Sequence, residues 1–266
     1  MCRLIKVLLL VAIIFSVVHF ESVSRVAVLD LYPEPNTIFE DRSGNILRWI
    51  PDAKGERHIW TSLDDIPLVI QNAFISAEDH RFYSHPGVDV LAILRAVKSN
   101  FTEGHIVSGA STLTQQLSRI TYPRKRTYYD KLVELLRSLR IELLLDKEQI
   151  LELYLNRVPL GNNLVGVKAG SKVYFGKILS RLTHSEAAML AALPKAPGKL
   201  NPYGRNISSL IERKNWVLRK MNTNEHISFD MLHGSLQGIP VLKPKSFPFG
   251  APHFINKVLP VSGNGN

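Results

Sequence analysis

An apolar stripe of helical period runs along the stretch IPLVIQNAFISAEDHRFYSHPG, residues 66–87. Its apolar side chains recur at i, i+3, i+4, i+7, i+8 and i+11, the pattern of a helix with one face in a core. The stripe ends in a polar cluster that includes Glu78, Asp79 and His85, and Pro86 and Gly87 then break the helix. Adjacent carboxylates at the end of a rigid helix suit acid–base chemistry, although such carboxylates usually only face solvent.

Most of the chain after Ser62 has helical periodicity, so the fold class is predicted to be mainly α. A polar segment at 99–109 and the segment 157–166 are predicted to be loops between helices. The predicted helices span 89–98, 127–145, 146–156, a segment from a cap at Thr183 or Ser185 to Pro194, 206–221 and a short stretch after Ser228.

Alternating β-forming residues before Trp60 predict a small β connector. Its strands are expected within 24–32, 36–50 and 56–60, with a hairpin turn at 41–45. The predicted organisation is a cytoplasmic start and membrane anchor at 1–21, the connector at 22–61, a helical domain core at 62–204, its C-terminal helices at 205–240 and a linker-like tail at 241–266.

The apolar run from Val7 to Val18 follows Arg3 and Lys6. It is shorter than the roughly 20 residues of a spanning helix unless Lys6 snorkels and the run is extended toward the N-terminus. A cleaved signal peptide also begins with basic residues and a short apolar core, but no small-x-small cleavage site is evident. We therefore favour an uncleaved signal anchor that forms an N-terminal transmembrane helix, with the rest of the chain outside the cytoplasm.

The formal net charge of +10 favours an anionic partner such as a membrane surface, a phosphorylated substrate or nucleic acid. Nucleic acid is disfavoured because no nucleic-acid module is present and an anchored extracytoplasmic domain would rarely meet DNA. The single cysteine, Cys2, excludes a disulfide framework and a cysteine-based metal site.

Hydroxyl and amide side chains cluster at the start of the helix near residue 112. Serine and threonine there can cap free N–H groups, whereas paired glutamines can hydrogen-bond a sugar or a phosphate. Both interpretations stay open for this cluster, whose members are Ser111, Thr112, Thr114, Gln115 and Gln116.

The helix predicted at 127–145 places Lys131, Glu134, Arg137 and Ser138 at i, i+3, i+6 and i+7, and we interpret them as one face. One interpretation is a solvated face held by Lys131–Glu134 and Glu134–Arg137 pairs. The other is a second catalytic carboxylate, Glu134, that neighbouring cations keep ionised.

Together these stretches resemble glycosyltransferase family 51, the peptidoglycan glycosyltransferase domains of class A penicillin-binding proteins, over roughly residues 25–202. The GNNLVGVKAGSKVYFGK run and the APHF near the C-terminus are most similar to the 1C subgroup. The matching motifs, in order, are Glu78-Asp79-x-x-Phe82-x-x-His85-x-Gly87, Gly109-x-Ser111-Thr112-x-Thr114-Gln115-Gln116, Lys131-x-x-Glu134, Ile150-Leu151-Glu152-x-Tyr154-Leu155-Asn156 and Glu186-Ala187-Ala188-x-Leu190-Ala191.

The resemblance implies a lysozyme-like helical fold that polymerises lipid II into glycan strands and releases undecaprenyl pyrophosphate. It implies that Glu78 is the general base and that Glu134, with Lys131, lines the donor site near the pyrophosphate. The further residues that it implies for substrate binding are Asp79, Phe82, His85, Ser111, Thr112, Gln115, Gln116, Arg119, Tyr154 and Asn156.

The resemblance also implies the surroundings of the reaction. The partners are lipid II, the nascent glycan strand, the inner membrane and a separate transpeptidase, and the catalytic domain lies on the periplasmic or extracytoplasmic side. The sequence contains no motif of a dedicated metal site, and the resemblance leaves open whether a divalent cation (Mg or Mn) binds at the pyrophosphate.

Asp130 stands where the family usually has arginine, and Ile120 where asparagine commonly follows the basic residue. The difference at Asp130 removes one cation from the region near the pyrophosphate and adds an anion one helical turn before Glu134, so it is expected to weaken donor binding. No S-x-x-K or K-T-G motif of a penicillin-binding transpeptidase domain occurs, so a stand-alone glycosyltransferase or a truncated gene product is expected. The alternatives are a non-catalytic lipid II-binding scaffold and a lysozyme-like muramidase.

Overall fold

The computed structural model describes residues 19, 21–22, 24–34, 36–44, 46–103, 111–125, 127–247 and 250. They form two compact units, each continuous in space but not in sequence. The first unit comprises the described residues of Met1–Tyr32 and Glu78–Tyr154, and the second those of Pro33–Ala77 and Leu155–Asn266.

Helices make up more than half of the described residues, as the periodicity predicts. Apart from the end of α2, the helices of three or more turns fall close to their predicted bounds. The helices and strands are β1 (Thr37–Glu40), β2 (Ile46–Ile50), β3 (Arg57–His58), α1 (Leu68–Glu78), α2 (Val90–Glu103), α3 (Leu113–Thr121), α4 (Tyr128–Leu144), α5 (Lys147–Arg157), β4 (Pro159–Gly161), β5 (Leu164–Val165), α6 (Val167–Gly170), α7 (His184–Ala192), α8 (Ile207–Thr223) and α9 (Phe229–Gln237).

The apolar stripe that predicts α1 is the buried face of that helix. Ile70, Ala73 and Phe74 have no exposed surface, and Ala77 keeps 9%. Burying such side chains stabilises a fold by roughly 1.5–3 kcal/mol each for the larger ones. The stripe therefore fixes the rotation of α1 about its axis. Glu78, the last residue of α1, is the first residue of the second segment of the first unit.

The second unit contains two small sheets. β1 and β2 pair antiparallel as the predicted hairpin, with Thr37 opposite Ile50. β5 pairs parallel with β3 and antiparallel with β4. The prediction of a plain loop at 157–166 is wrong, because Asn162 and Asn163 both adopt positive φ (53° and 58°) and close a two-residue hairpin between β4 and β5.

The prediction of a strand at 24–32 is also wrong, because Val28–Leu31 is a 3-10 helix. Its backbone bonds locally, from Asp30 N–H to the Ala27 carbonyl (3.1 Å) and from Tyr32 N–H to the Leu29 carbonyl (3.2 Å). Leu31 is fully buried while Leu29 is 84% exposed, so side-chain burial against α3 sets the conformation and overrides β propensity.

Helix α2 continues to Glu103, five residues beyond the predicted end, and includes the first part of the segment predicted to be a loop. Residues 104–110, with Gly109 of the second motif, lie outside the described residues. The predicted anchor run, 7–18, and most of the tail lie outside them too. Among the described residues, no helix is both long enough and apolar enough to cross a bilayer.

Helices α7, α8 and α9 pack together in the second unit. Thr183 caps α7 in a capping box with Glu186, which decides between the two predicted caps in favour of Thr183. Ser228 caps α9. All three helices agree with their predicted positions.

Candidate active site

Helix α3 begins with a capping box. Thr112 Oγ1 accepts from Gln115 N–H (3.2 Å), and Gln115 Oε1 accepts from Thr112 N–H (3.2 Å). Thr112 Oγ1 also donates to the Gly87 carbonyl (2.6 Å). Both side chains are buried, so the capping interpretation of the hydroxyl and amide cluster holds for Thr112 and Gln115.

Glu78 is held by a chain of hydrogen bonds. Gln116 donates from Nε2 to Glu78 Oε2 (2.8 Å), and the Tyr154 hydroxyl donates to Gln116 Oε1 (3.2 Å). Burial raises the pKa of Tyr154 well above its ordinary value, and the negative charge of Glu78 adds to the effect. Tyr154 therefore stays a neutral donor and fixes which end of the Gln116 amide faces Glu78.

Asp79 forms a buried pair with His85. His85 Nε2 lies 3.0 and 3.1 Å from the two carboxylate oxygens, so Nε2 carries the proton and donates to Asp79. Asp79 Oδ2 also accepts from Leu113 N–H (3.0 Å) in the first turn of α3. Asp79 thereby ties the end of α1 to the start of α3, the two helices that carry Glu78 and Gln116.

Gly87 allows α4 to approach the first motif. Its φ is +81°, and a Cβ there would lie 2.9 Å from Glu142 Cγ and 3.0 Å from the Ser138 carbonyl. Glu142 accepts from Thr114 Oγ1 (2.5 Å) and pairs with Lys147 (2.8 Å). Sequence reasoning missed Glu142, because its contact with Thr114 forms only when α4 packs against the first motif.

A second carboxylate, Glu134, lies among cations. Lys131 Nζ contacts Glu134 Oε1 and donates to Ser111 Oγ (2.9 Å), and Arg119 lies 3.8 Å from Glu134 Oε2. The Glu134 side chain is 11% exposed, against 47% for Lys131. The predicted Lys131–Glu134 pair is therefore present, with the cations on the solvent side of the carboxylate.

Arg137 does not share a face with Lys131. Six residues turn a helix through about 600°, so the two side chains leave the helix axis about 120° apart. Its guanidinium lies 4.3 Å from the centre of the Tyr122 ring. The predicted Glu134–Arg137 pair is wrong, and Arg119 of α3 takes the place of Arg137 beside Glu134.

Helix α3 contacts both carboxylates of the site. Gln116 binds Glu78, and Arg119, one helical turn later, lies beside Glu134. Residues three apart on a helix are neighbours on its surface. Glu78 and Glu134 lie 56 positions apart in sequence, yet both contact the stretch of α3 from Gln116 to Arg119. Glu78 has an amide partner there, whereas Glu134 lies beside Arg119 of α3 and Lys131 of its own helix.

Two candidate residues serve packing or backbone contacts in the structure. Phe82 is fully buried, with its ring 4.5 Å from Lys147 Nζ and edge-on to Tyr83. Asn156 accepts from Thr61 N–H (2.9 Å) and donates to the Thr61 carbonyl (2.8 Å). A direct contact of either side chain with substrate stays a prediction.

Asp130 lies one helical turn before Glu134 on α4 and has hydrogen-bond partners of its own. It accepts from Arg124 Nε (2.7 Å) and Thr127 Oγ1 (2.6 Å), and Thr127 in turn caps α4. The hydrogen bond from Thr127 and the neighbouring Arg124 guanidinium hold the pKa of Asp130 below its ordinary value. The observed partners of this carboxylate are thus Arg124 and Thr127, and the expected weakening of donor binding stays a prediction.

The described residues do not provide a metal site. No group of three or more His, Cys, Asp or Glu in the described ranges is arranged to hold a metal ion. At Glu134 the observed neighbours are Lys131 and Arg119, whose positive charges disfavour a divalent cation. The residues here do not fit a protein-bound divalent cation.

Asp89 joins Arg81 of the first motif to the first turn of α2, and its lowered pKa gives a prediction about how stability depends on pH. It accepts two hydrogen bonds from Arg81 (2.9 and 2.6 Å) and one from Ala92 N–H in the first turn of α2 (2.7 Å). Burial alone would raise the pKa of Asp89, but the hydrogen bonds from Arg81 and Ala92 outweigh it and hold the pKa below its ordinary value.

We expect Asp89→Asn to lower the free energy of unfolding at neutral pH by about 1–3 kcal/mol, because it removes a charged partner of Arg81 and of the helix end. A depressed pKa contributes stability above the unfolded value of about 3.9, and this contribution is lost as pH falls through the folded value. Urea titrations of the wild-type and Asp89→Asn proteins from about pH 2 to 7 measure the difference in their free energies of unfolding. A difference that does not shrink toward the acid end would contradict the assignment.

Comparison with known proteins gives consistent matches. A sequence model of the family described as Transglycosylase matches residues 43–222, more than half of the chain. Penicillin-binding protein 1A of Aquifex aeolicus is 43% identical over 186 residues, covering 66% of this chain and 26% of its own length. Penicillin-binding protein 1C of Escherichia coli is 36% identical over 225 residues, covering 85% of this chain and 29% of its own length.

A crystal structure of penicillin-binding protein 1A from Haemophilus influenzae matches with a TM-score of 0.48 and 25% identity, covering 85% of this chain and 24% of that chain. The chain thus spans about a quarter of the length of the curated relatives described above. The 1C protein is matched over the larger share of this chain and the 1A protein at higher identity, so the resemblance to the 1C subgroup stays a prediction.

Proposed function

The chain belongs to the transglycosylase family, and from that membership we propose that it is a peptidoglycan glycosyltransferase that polymerises lipid II in cell wall synthesis. The observation that carries the proposal is the double contact of α3, in which Gln116 holds Glu78 and Arg119 lies beside Glu134. An inverting sugar transfer needs a base on one side and stabilisation of the leaving group on the other.

In the proposed reaction, Glu78 takes the proton of the acceptor sugar 4-hydroxyl. The oxygen then attacks the anomeric carbon of the growing chain from the face opposite the leaving group, so configuration inverts. The new C–O bond forms as the bond to the pyrophosphate oxygen breaks. The logic is that of inverting glycosidases, with a sugar hydroxyl in place of water.

Undecaprenyl pyrophosphate leaves with the bonding electron pair, and its developing charge needs fixed positive groups. Lys131 and Arg119 are such groups, since Ser111 and Glu134 hold Lys131 and Glu134 attracts Arg119. We propose no protein-held cofactor. A divalent cation at this point would have to be held mainly by the pyrophosphate oxygens.

The proposed setting is the outer face of the bacterial cytoplasmic membrane, with the chain anchored once through its N-terminal apolar run. The partners are lipid II and the nascent strand, with cross-linking supplied by a separate transpeptidase. The alternative is a non-catalytic lipid II-binding scaffold, which is suggested by Asp130 at the usual arginine position. Asp130 is paired with Arg124 and Thr127, and an assay of lipid II polymerisation decides between the two functions.

Lys131→Ala tests the donor side of the proposal. We expect the rate of lipid II polymerisation to fall by about 10²–10³-fold, the usual cost of removing one preorganised donor at a developing negative charge. The measurement is a time course of labelled lipid II with the detergent-solubilised full chain. Lys199→Ala is the matched control, because Lys199 is an exposed lysine of the other unit. Equal rates for both variants would contradict the donor-site role.

A further inference from the structure

Lys147 links the first motif to the last turn of α4 and to α3. Its Nζ donates to the His85 carbonyl (2.7 Å) and to Glu142 Oε1 (2.8 Å). The same Glu142 oxygen accepts from Thr114 Oγ1 (2.5 Å) in the first turn of α3. Hydrogen bonds with a charged partner are shorter and stronger than neutral ones. Lys147, the first residue of α5, thus joins segments that are distant in sequence.

This link closes a ring with the buried pair of the first motif. His85 Nε2 donates to Asp79, and Asp79 Oδ2 accepts from Leu113 N–H (3.0 Å). Leu113 directly precedes Thr114, so the path returns to the residue from which the link starts. Such a closed path restrains each member from two sides, which a single hydrogen bond does not. The ring consists of Asp79, His85, Lys147, Glu142, Thr114 and Leu113.

The polar groups of the link are bonded to one another inside the fold. Thr114 has no exposed surface, and the side chains of Glu142 and Lys147 are 9% and 19% exposed. Gly87 leaves the space that Glu142 occupies, because a Cβ at Gly87 would lie 2.9 Å from Glu142 Cγ. The Thr114 hydroxyl therefore holds α4 against α3, and neither capping nor ligand binding describes its contact.

Glu78 is connected to this ring at two points. Its backbone continues directly into Asp79, and its carboxylate accepts from Gln116, two residues after Thr114 on α3. The ring therefore restrains the end of α1 against α3, and the position of the Glu78 carboxylate depends on both. A general base must lie within hydrogen-bond reach of the proton that it takes, and a misplacement of about 1 Å can cost on the order of 10²-fold in rate.

We propose that Thr114, Glu142 and Lys147 are positioning residues for Glu78. They hold the base in place through the ring and do not themselves contact the substrate. The inference rests on the proposed role of Glu78 as general base. Because the link acts on the placement of the base and not on ground-state binding, its loss should lower kcat and leave the KM for lipid II nearly unchanged.

The test is the initial rate of polymerisation by the detergent-solubilised full chain over a range of lipid II concentrations. We expect Lys147→Met and Glu142→Ala each to lower kcat by about 10–100-fold and to change KM by less than about threefold. A folded Lys147→Met protein with the kcat of the wild type would overturn the proposal. So would a variant whose loss of rate lies in KM alone.

A matched variant separates positioning from general destabilisation. Lys177 of the second unit pairs with Glu186 at 2.7 Å, much as Lys147 pairs with Glu142 at 2.8 Å. Lys177→Met removes this comparable pair, which is not part of the ring, and should leave kcat unchanged. An equal loss of kcat in Lys177→Met and Lys147→Met would show that any broken lysine–glutamate pair has this effect, and it would overturn the proposal.

Two substitutions of Thr114 cover the case in which Lys147→Met does not fold. Thr114→Val keeps the shape of the buried side chain but removes the donor to Glu142, whereas Thr114→Ser keeps the hydroxyl. We expect kcat to fall by about tenfold in Thr114→Val and to stay within about threefold of the wild type in Thr114→Ser. Equal rates for these two variants would contradict the role of the hydroxyl.

Hydrogen exchange tests the ring without turnover. The Leu113 amide donates to Asp79, so its exchange rate, followed by NMR, reports whether the ring is closed. We expect exchange at Leu113 to be at least about tenfold faster in Lys147→Met and Glu142→Ala than in the wild type and Lys177→Met. Unchanged exchange would overturn the ring. A wild-type chain that makes no polymer would contradict the proposed function while this measurement still decides whether the ring holds, so the two proposals fail separately.

Discussion

Replacing Glu78 with glutamine is expected to abolish lipid II polymerisation while the fold stays intact. Glutamine keeps an acceptor oxygen for Gln116 Nε2, which now lies 2.8 Å from the carboxylate, but it cannot take a proton from the acceptor hydroxyl. Loss of a positioned general base costs on the order of 10²–10⁴-fold in rate. The measurement is the initial rate of glycan strand formation from labelled lipid II.

The control for Glu78→Gln is Glu148→Gln, which removes an exposed carboxylate from the same unit and should leave the rate unchanged. Circular dichroism and the midpoint of thermal unfolding show whether the Glu78 variant is folded. Full polymerisation by a folded Glu78→Gln protein would remove Glu78 from the role of base.

Replacing Asp79 with alanine is expected to lower the free energy of unfolding by about 2–6 kcal/mol, because it leaves two buried N–H donors unsatisfied at about 1–3 kcal/mol each. The substitution leaves His85 Nε2 and Leu113 N–H, both now bonded to Asp79, without a buried acceptor. The tie between the end of α1 and the start of α3 is lost as well. Urea unfolding of both proteins at pH 7 measures the difference.

Two further variants make the Asp79 result specific. Asp79→Asn keeps an acceptor oxygen and should cost less than the alanine substitution. Asp65→Ala removes an exposed carboxylate and should change the free energy of unfolding by no more than about 0.5 kcal/mol. An alanine effect at position 79 as small as that at position 65 would show that the buried pair does not stabilise the fold.

The elements that sequence alone predicted well are those with local signals. The stripe of α1 and the long helix α4 follow from periodicity, and the caps at Thr112 and Thr183 follow from side chains that bond their own helix. The hairpin at Asn162 and Asn163 had a local signal too, since asparagine tolerates positive φ, but it was missed.

Other features depend on contacts between distant segments. The 3-10 helix at 28–31 takes its shape from burial of Leu31 against α3 rather than from its own β-forming sequence. Glu142 is recognised only when Gly87 is seen against α4. A sequence cannot show which groups such tertiary contacts bring together.

The candidate active site also combines residues that the sequence identified with partners that only the structure shows. The motif residues Glu78 and Glu134 were selected from the sequence, but their partners Gln116 and Arg119 gain meaning only once α3 lies beside both carboxylates. Asp130 was expected to disturb the donor side. The structure pairs it with Arg124, which the sequence did not predict, and its effect on donor binding stays a prediction.

The most direct test of the account is a time course of purified lipid II with the full chain in detergent, following both glycan strands and released undecaprenyl pyrophosphate. We expect polymer to form with one pyrophosphate released for each bond made, and no such product from the Glu78→Gln protein. Saturable lipid II binding without polymer would instead identify a non-catalytic scaffold. Shortening of preformed glycan strands would identify a hydrolase, and either result would contradict the proposed function.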